Sequence, residues 1–189
     1  MHPEDTRTHR ERMLAGEPYF PDDPELVELG RRAQRLTERY NRTSIDEPDE
    51  RRRVLTELFA ELGDRVEIRP PFHCDFGSQI RVGARTFVNF NLVALDVAPI
   101  TIGEDVQIGP NVQLLTPTHP IDPEERRSKF EGAKPIAIGD NVWLGGGVVV
   151  CPGVTIGENT VVGAGSVVTK DLPPNVLAVG NPARVVRSI

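Results

Sequence analysis

The 189 residues carry 28 acidic against 22 basic side chains, a formal net charge of −6 that argues against a broad nucleic-acid footprint. Hydrophobic content is a modest 38%, enough for a narrow core, and no apolar run reaches the length of a membrane span. The start lacks the apolar segment of a signal peptide, so the expectation is a soluble cytoplasmic protein, one domain with an appendage.

Residues 1–63 read as a helical N-terminal segment, in which residues 4–62 are rich in Arg, Glu and Leu and contain glycine only at Gly16 and Gly30. Thr6 to Ala15 is expected to form a first helix, stopped by Gly16 and Pro18. His2 and His9 fall at this end and are expected in a mobile tail. Asp23 is placed to cap a second helix, with Pro24 at its first position and Leu26, Leu29, Ala33, Leu36 and Tyr40 on one face. Pro48 to Leu62 reads as a third, with Val54, Leu55, Leu58, Phe59 and Leu62 apolar and Gly63 ending it. The expected role is an end cap for the remainder of the chain, with a contribution to a ligand site as the lesser alternative.

Residues 64–189 obey a different rule. From Pro70 a six-residue phase emerges at Phe76-Gly77, Val82-Gly83 and Val88. Ala94 to Thr101 then runs two residues long, an irregularity expected to turn Asp96 and its neighbours outward. From Ile102 the phrase is regular: aliphatic residues stand at Ile102, Ile108, Leu114, Ile138, Leu144, Val150, Ile156, Val162 and Val168. Glycine often comes next, as at Gly103, Gly109, Gly139, Gly145, Gly157 and Gly163. The fourth position is Asp105, Asn111, Asn141, Gly147, Gly153, Asn159, Gly165 or Asp171.

Several positions held in phase identify a repeat protein. An aliphatic residue every six points inward at each flat face of a coil. Asn, Asp and Gly tolerate the left-handed backbone of a corner, and glycine beside the inward residue leaves room where backbones crowd. Three phrases close one triangular coil, so Ile138 should stack with Ile156, Leu144 with Val162 and Val150 with Val168. The pattern therefore implies a parallel β-helix. A β-sandwich would not hold its turns to a six-residue phase.

One phrase is interrupted. After Leu114 and Thr118 comes a polar, proline-bearing stretch, and the repeat resumes only near Ile136. Residues 117–135 must project as a loop, and long loops on a rigid repeat are often functional. Past Asp171 the phase breaks at Leu172-Pro173-Pro174; Val179 to Pro182 is placed for a last partial turn before a C-terminal tail with Arg184 and Arg187.

His119 sits where a coil face gives way to the loop, which fixes its backbone and leaves its ring accessible to act as a general base. A loop histidine with no task is the plain alternative. Only His73 joins it on the repeat, neither has a second histidine nearby, and Cys74 and Cys151 form no ligand or disulfide pattern. No metal site is expected.

The repeats, the His119 loop, Asn89-Phe90-Asn91, Thr118-His119-Pro120, Gly139-Asp140-Asn141-Val142-Trp143, Val168-Thr169-Lys170-Asp171 and Gly180-Asn181-Pro182-Ala183-Arg184 together resemble the maltose/galactoside O-acetyltransferase family. The likeness spans nearly the whole chain, with the maltose branch nearest and the Nod-factor acetyltransferases close relatives. It implies a left-handed parallel β-helix, a homotrimer, and acetyl-CoA as donor. His119 then matches the catalytic histidine, taking a proton from an acceptor hydroxyl as that oxygen attacks the thioester. Gly146 matches a backbone N–H donor for the developing oxyanion and the cofactor, at a position where many members carry Ser. Asn89 and Asp75 match acceptor-binding positions, and Phe87 stands where galactoside enzymes carry Tyr. A further acidic contact falls near Asp22 or Asp23, and Asp96 lies one place from another, now Val97. Ala164 and Thr169 match the pantetheine arm, and Lys170, Arg184 and Arg187 the CoA phosphates, a local basic cluster on an acidic protein. Trp143 either lines the groove or covers an outer face. Two readings of other kinds stand beside a sugar acceptor: an antibiotic or other small-molecule alcohol, and a non-catalytic hexapeptide-repeat scaffold.

Overall fold

The structure is a computed structural model that describes residues 6–189; His2 lies outside them. Helix α1 is shorter than expected, His9–Leu14, because Thr8 forms a capping box with Glu11 and fixes the start there. His9 is held in this helix rather than in a mobile tail: its Nδ1 accepts the Phe20 N–H at 3.1 Å. Helix α2 (Pro24–Asn41) starts where expected, with the Asp23 carboxylate accepting the Glu25 N–H. Helix α3 (Pro48–Leu58) ends four residues early. Phe59 turns extended and buries its ring edge-on to Phe72 at 5.4 Å, which sends Glu61–Leu62 into the first strand instead.

Five coils of three short strands come next. They are β1 (Glu61–Leu62), β2 (Glu67–Ile68) and β3 (Phe72–Cys74); then β4 (Ile80–Val82), β5 (Phe87–Val88) and β6 (Leu92–Leu95). The third coil is β7 (Ile100–Ile102), β8 (Gln107–Ile108) and β9 (Gln113–Leu115), after which the loop contributes β10 (Pro117–Thr118), α4 (Pro123–Arg127) and β11 (Gly132–Ala133). The last two coils are β12 (Ile136–Ile138), β13 (Trp143–Leu144) and β14 (Val149–Val150), then β15 (Thr155–Ile156), β16 (Val161–Val162) and β17 (Val167–Val168). A partial sixth coil adds β18 (Val176–Val179). Equivalent strands pair in parallel into three faces: β1-β4-β7-β12-β15, β2-β5-β8-β13-β16-β18, and β3-β6-β9-β14-β17. The C-terminal tail is not free: β19 (Arg184–Ser188) folds back antiparallel on β18.

The expected stacking holds, with Ile138 beside Ile156, Leu144 beside Val162 and Val150 beside Val168, each at most 2% exposed. Of the eight residues expected at bends, all but Asp171 have positive φ. Asp171 instead accepts the Thr155 N–H on its side chain at 2.7 Å. Corner asparagines also bond from coil to coil, Asn141 to Asn159 and Asn159 to Asn175, each at 3.0 Å. The crowding argument is equally literal: a Cβ on Gly109 would stand 2.6 Å from the Gly146 nitrogen, and one on Gly145 2.5 Å from that of Ala164.

The capping role is visible in the core. Ala33, Leu36 and Tyr40 of α2 and Val54, Leu55 and Leu58 of α3 join one continuous apolar cluster with Phe72, Ile80 and the coil interior. The Tyr40 hydroxyl donates to the Ile68 carbonyl, and the Asn41 side chain pairs with the Phe72 backbone, so the helices are fastened to the first coil by polar bonds too. Among the described residues no helix is long and apolar enough to cross a membrane.

Candidate functional site

The site residues fall on two edges of the three-sided prism, separated by the face β3-β6-β9-β14-β17. Along the first edge, Asp75 follows β3, Asp96 follows β6, Thr116 follows β9, and Thr169 and Lys170 follow β17. The loop rises from this edge. A cleft of ≈600 Å³ opens beside it, walled by Asp75, Phe76 and Val97 of the coils, His119 and Glu131 of the loop, and Tyr19 and Leu26 of the N-terminal segment.

His119 follows β10, which pairs antiparallel with β11, so the imidazole leaves a braced hairpin rather than a slack loop. Thr116, fully buried beneath it, donates from Oγ1 to the Leu95 carbonyl at 2.6 Å and accepts the Ala98 N–H at 2.9 Å. Its own carbonyl accepts the Lys134 N–H at 3.0 Å, closing the base of the loop. The His119 side chain is exposed and makes no hydrogen bond to another described residue.

The N-terminal segment does more than cap. Tyr19 and Glu131 exchange both backbone hydrogen bonds at 3.0 Å, and the Tyr19 hydroxyl donates to Glu131 Oε2 at 2.7 Å. Phe20 stacks on Phe130 at 4.0 Å. Burial and the Glu131 carboxylate push the Tyr19 hydroxyl far up, keeping it a donor. Glu131 is a cleft residue that sequence reasoning missed: it lies in the phase-free loop, and only its pairing with Tyr19 brings it to the site.

Asp75 is half-buried in the cleft. Burial first, then the nearby charges of Asp96 and Glu131, push its carboxyl up to about 6. Asp96 itself corrects an expectation. The long coil turns it inward, fully buried, where its carboxylate accepts backbone N–H groups of Asp75, Phe76 and Gln79. Burial raises its pKa to about 6 against the opposing pull of those bonds. Asp23 is committed to capping α2 and Asp22 is exposed; neither lines the cleft, whereas Pro21 does.

The second edge joins the face that ends in β18 to the face that ends in β17. Asn89, Gly109, Gly145 and Gly163 stack in one column through the bonds Asn89 N to Ile108 O, Gly109 N to Leu144 O and Gly145 N to Val162 O. Gly146 and Ala164 stand one residue on. Their N–H groups make no hydrogen bond to any described residue, although both flanking residues are committed. A Cβ at Gly146 would approach Pro110 only to 3.4 Å, so this glycine, unlike Gly145, is not required by packing. Asn89 is not part of the His119 cleft; its Oδ1 accepts the Phe90 N–H at 2.8 Å. The Phe87 ring carries the Arg69 guanidinium at 5.0 Å from its centre. Trp143, 55% exposed, covers the outer face between Gln107 and Val161 rather than lining the cleft.

Lys170, Arg184 and Arg187 are exposed, and among the described residues no carboxylate pairs with them. Arg184 and Arg187 project from β19, opposite Val179 and Leu177 of β18. No group of three His, Cys, Asp or Glu able to hold a metal ion occurs among the described residues.

Comparison with known proteins places this geometry. Residues 12–63 match the maltose acetyltransferase hexapeptide capping motif, and residues 135–170 the bacterial transferase hexapeptide repeats. Nodulation protein L of Rhizobium meliloti is 49% identical over 180 residues, covering 95% of this chain and 98% of that protein. The structure of a maltose O-acetyltransferase from Clostridium difficile 630 superposes with a TM-score of 0.96 at 46% identity, covering 98% of this chain and 99% of the other. The chain belongs to the maltose/galactoside O-acetyltransferase family. A galactoside acetyltransferase solved with coenzyme A also matches, at a TM-score of 0.93 and 41% identity over 97% of this chain and 92% of that one. Within this O-acetyltransferase family the geometry of the present chain has a plain consequence. The residues expected to serve one reaction are divided between two edges of a single copy, with Asp75, His119, Thr169 and Lys170 on one and Asn89, Gly146 and Ala164 on the other.

Proposed function

We propose that the chain transfers the acetyl group of acetyl-CoA to a hydroxyl of a maltose- or glucose-like sugar, with His119 as the general base. The observation that carries this reading is the cleft in which an exposed, uncommitted imidazole faces Asp75 and Glu131. An alcohol is a poor nucleophile at neutral pH, and a positioned base is worth ~10²–10⁴ in rate. His119 takes the hydroxyl proton as the oxygen attacks the thioester carbonyl. Negative charge then grows on that carbonyl oxygen and needs a preorganised donor. The uncommitted Gly146 N–H has the right chemistry. Asp75 accepts hydrogen bonds from acceptor hydroxyls, with Asn89 as the second acceptor contact. Ala164 and Thr169 receive the pantetheine arm, and the unpaired cations Lys170, Arg184 and Arg187 receive phosphates.

Because these groups occupy two edges, the reading requires a homotrimer, a closed arrangement in which the first edge of one copy faces the second edge of the next. An acceptor screen tests the function: acetyl-CoA is supplied with maltose, glucose, a galactoside and antibiotic alcohols, and thiol release is monitored. Release that depends on the first two supports the reading; release with antibiotic alcohols alone, or with none, rejects the sugar acceptor.

The cofactor half makes a separate prediction. Replacing both Lys170 and Arg184 with Ala should raise the acetyl-CoA KM about tenfold or more with little change in kcat, because phosphate contacts persist from ground state to transition state. Unchanged acetyl-CoA binding by calorimetry would show that the phosphates lie elsewhere.

A further inference from the structure

The coil that runs two residues long places its surplus directly beneath the cleft. Elsewhere on the prism, bends are turned by residues at positive φ, mostly Asn and Gly, and the interior is largely aliphatic with a few buried hydroxyls such as Thr86, Thr160 and Ser166. Here a carboxylate is buried instead, with no cation among the described residues paired with it. Asp96 Oδ1 accepts the N–H of Asp75 at 3.1 Å and of Phe76 at 2.9 Å, and Oδ2 accepts that of Gln79 at 3.1 Å. Gln79, itself nearly buried, returns its amide to the carbonyls of Asp96 at 2.8 Å and Val97 at 2.6 Å. One buried anion thus gathers the whole Asp75–Gln79 turn.

We propose that Asp96 is a positioning residue for the acceptor half of the site, setting the height and direction at which Asp75 enters the cleft. The proposal rests on the reading of Asp75 as an acceptor contact. A buried carboxylate is expensive unless its hydrogen bonds are nearly complete, and here several preorganised N–H groups offset that cost. The same segment is braced to the other half of the cleft, since Ala98 N–H bonds the Thr116 hydroxyl beneath the His119 hairpin. Asp96 also faces Asp75 as a like charge. The other groups around Asp75 are Glu131 and His119 of the loop, Tyr19 of the N-terminal segment, Cys74 at the end of β3 and Arg31 of α2. Removing the Asp96 charge should therefore let Asp75 ionise at lower pH.

The test is steady-state kinetics of the full chain with maltose as the acceptor probe, for Asp96→Asn, Asp75→Asn and the double variant. The Asn side chain keeps the shape but presents an NH₂ group to one of the N–H donors. Asp96→Asn should raise the maltose KM about tenfold while the acetyl-CoA KM stays within about twofold. The double variant should be no worse than the poorer single one, because Asp96 acts through Asp75. In Asp96→Asn the rise in maltose KM on acidification should begin at lower pH than in the wild type. Equal losses in both KM values and kcat, or losses that multiply in the double variant, would overturn the proposal in favour of a purely structural role. An unchanged maltose KM in Asp75→Asn would reject the acceptor reading itself, and the positioning role with it. Should Asp96→Asn fail to fold, Gln79→Met removes the two amide bonds and leaves the carboxylate. It should raise the maltose KM in the same selective way by a smaller factor, and an unchanged value would overturn the proposal.

Discussion

His119→Ala should leave the fold and acetyl-CoA affinity nearly intact while kcat falls ~10²–10⁴-fold. The side chain is exposed at the mouth of the cleft, outside every stacked aliphatic column, so its removal hollows no core. The hairpin that carries it is held by the β10–β11 pairing and by Thr116, neither of which uses the ring. Lys170, Arg184 and the backbone donors of the second edge are likewise untouched. What is lost, on the proposed mechanism, is the acceptor for the hydroxyl proton in the transition state. The loss should therefore appear in kcat and kcat/KM together, equivalent to roughly 3–5 kcal/mol. Single-turnover transfer to the best acceptor, with calorimetry and thermal melting alongside, checks all three parts. Near-wild-type turnover by a folded variant would leave the proposed mechanism without a base.

The second large effect concerns the junction between cap and solenoid. Phe72 is fully buried in β3, edge-on to Phe59 at the end of α3, and its backbone is held at both groups by the Asn41 side chain. Phe72→Ala should cost about 3–5 kcal/mol, the transfer term plus the cavity left between helices and coil. Urea unfolding gives the value from a shifted midpoint at similar slope. The same substitution should disturb acceptor binding, since Asp75 stands only three residues on. A loss below about 1 kcal/mol would mean that the helices rest on the coil without supporting it.

The legibility of each part in the sequence depends on the range of the forces that shape it. The solenoid was legible because its constraint is periodic: inward aliphatics at Ile138, Leu144 and Val150, and left-handed corners at Asn141 and Gly147, repeat one local rule many times. His119 stood out as the point where that rule stops. The end of α3 was hidden because Phe59 and Leu62 fit a helical stripe as well as a strand, and only burial against Phe72 decides between them. Asp96 was expected to face outward, since an isolated carboxylate beside an irregularity gives no sign of the backbone donors that hold it inside. Glu131 was invisible for a related reason: its place depends on pairing with Tyr19, far away in the chain. Long-range pairing without a period leaves no local trace.

The division of the site between two edges is the central claim, and mixing two variants, each lacking a site residue on a different edge, tests it most directly. His119→Ala lacks the proposed base on the first edge but keeps Asn89, whereas Asn89→Ala keeps His119 and lacks the proposed acceptor contact on the second. If each site combines the first edge of one copy with the second edge of its neighbour, reassociated mixtures regain intact sites. Random trimers formed from equal amounts should recover about a quarter of wild-type activity. Mixtures no more active than the two variants apart, in trimers shown by mass to contain both chains, would place the complete site within a single copy and contradict the account.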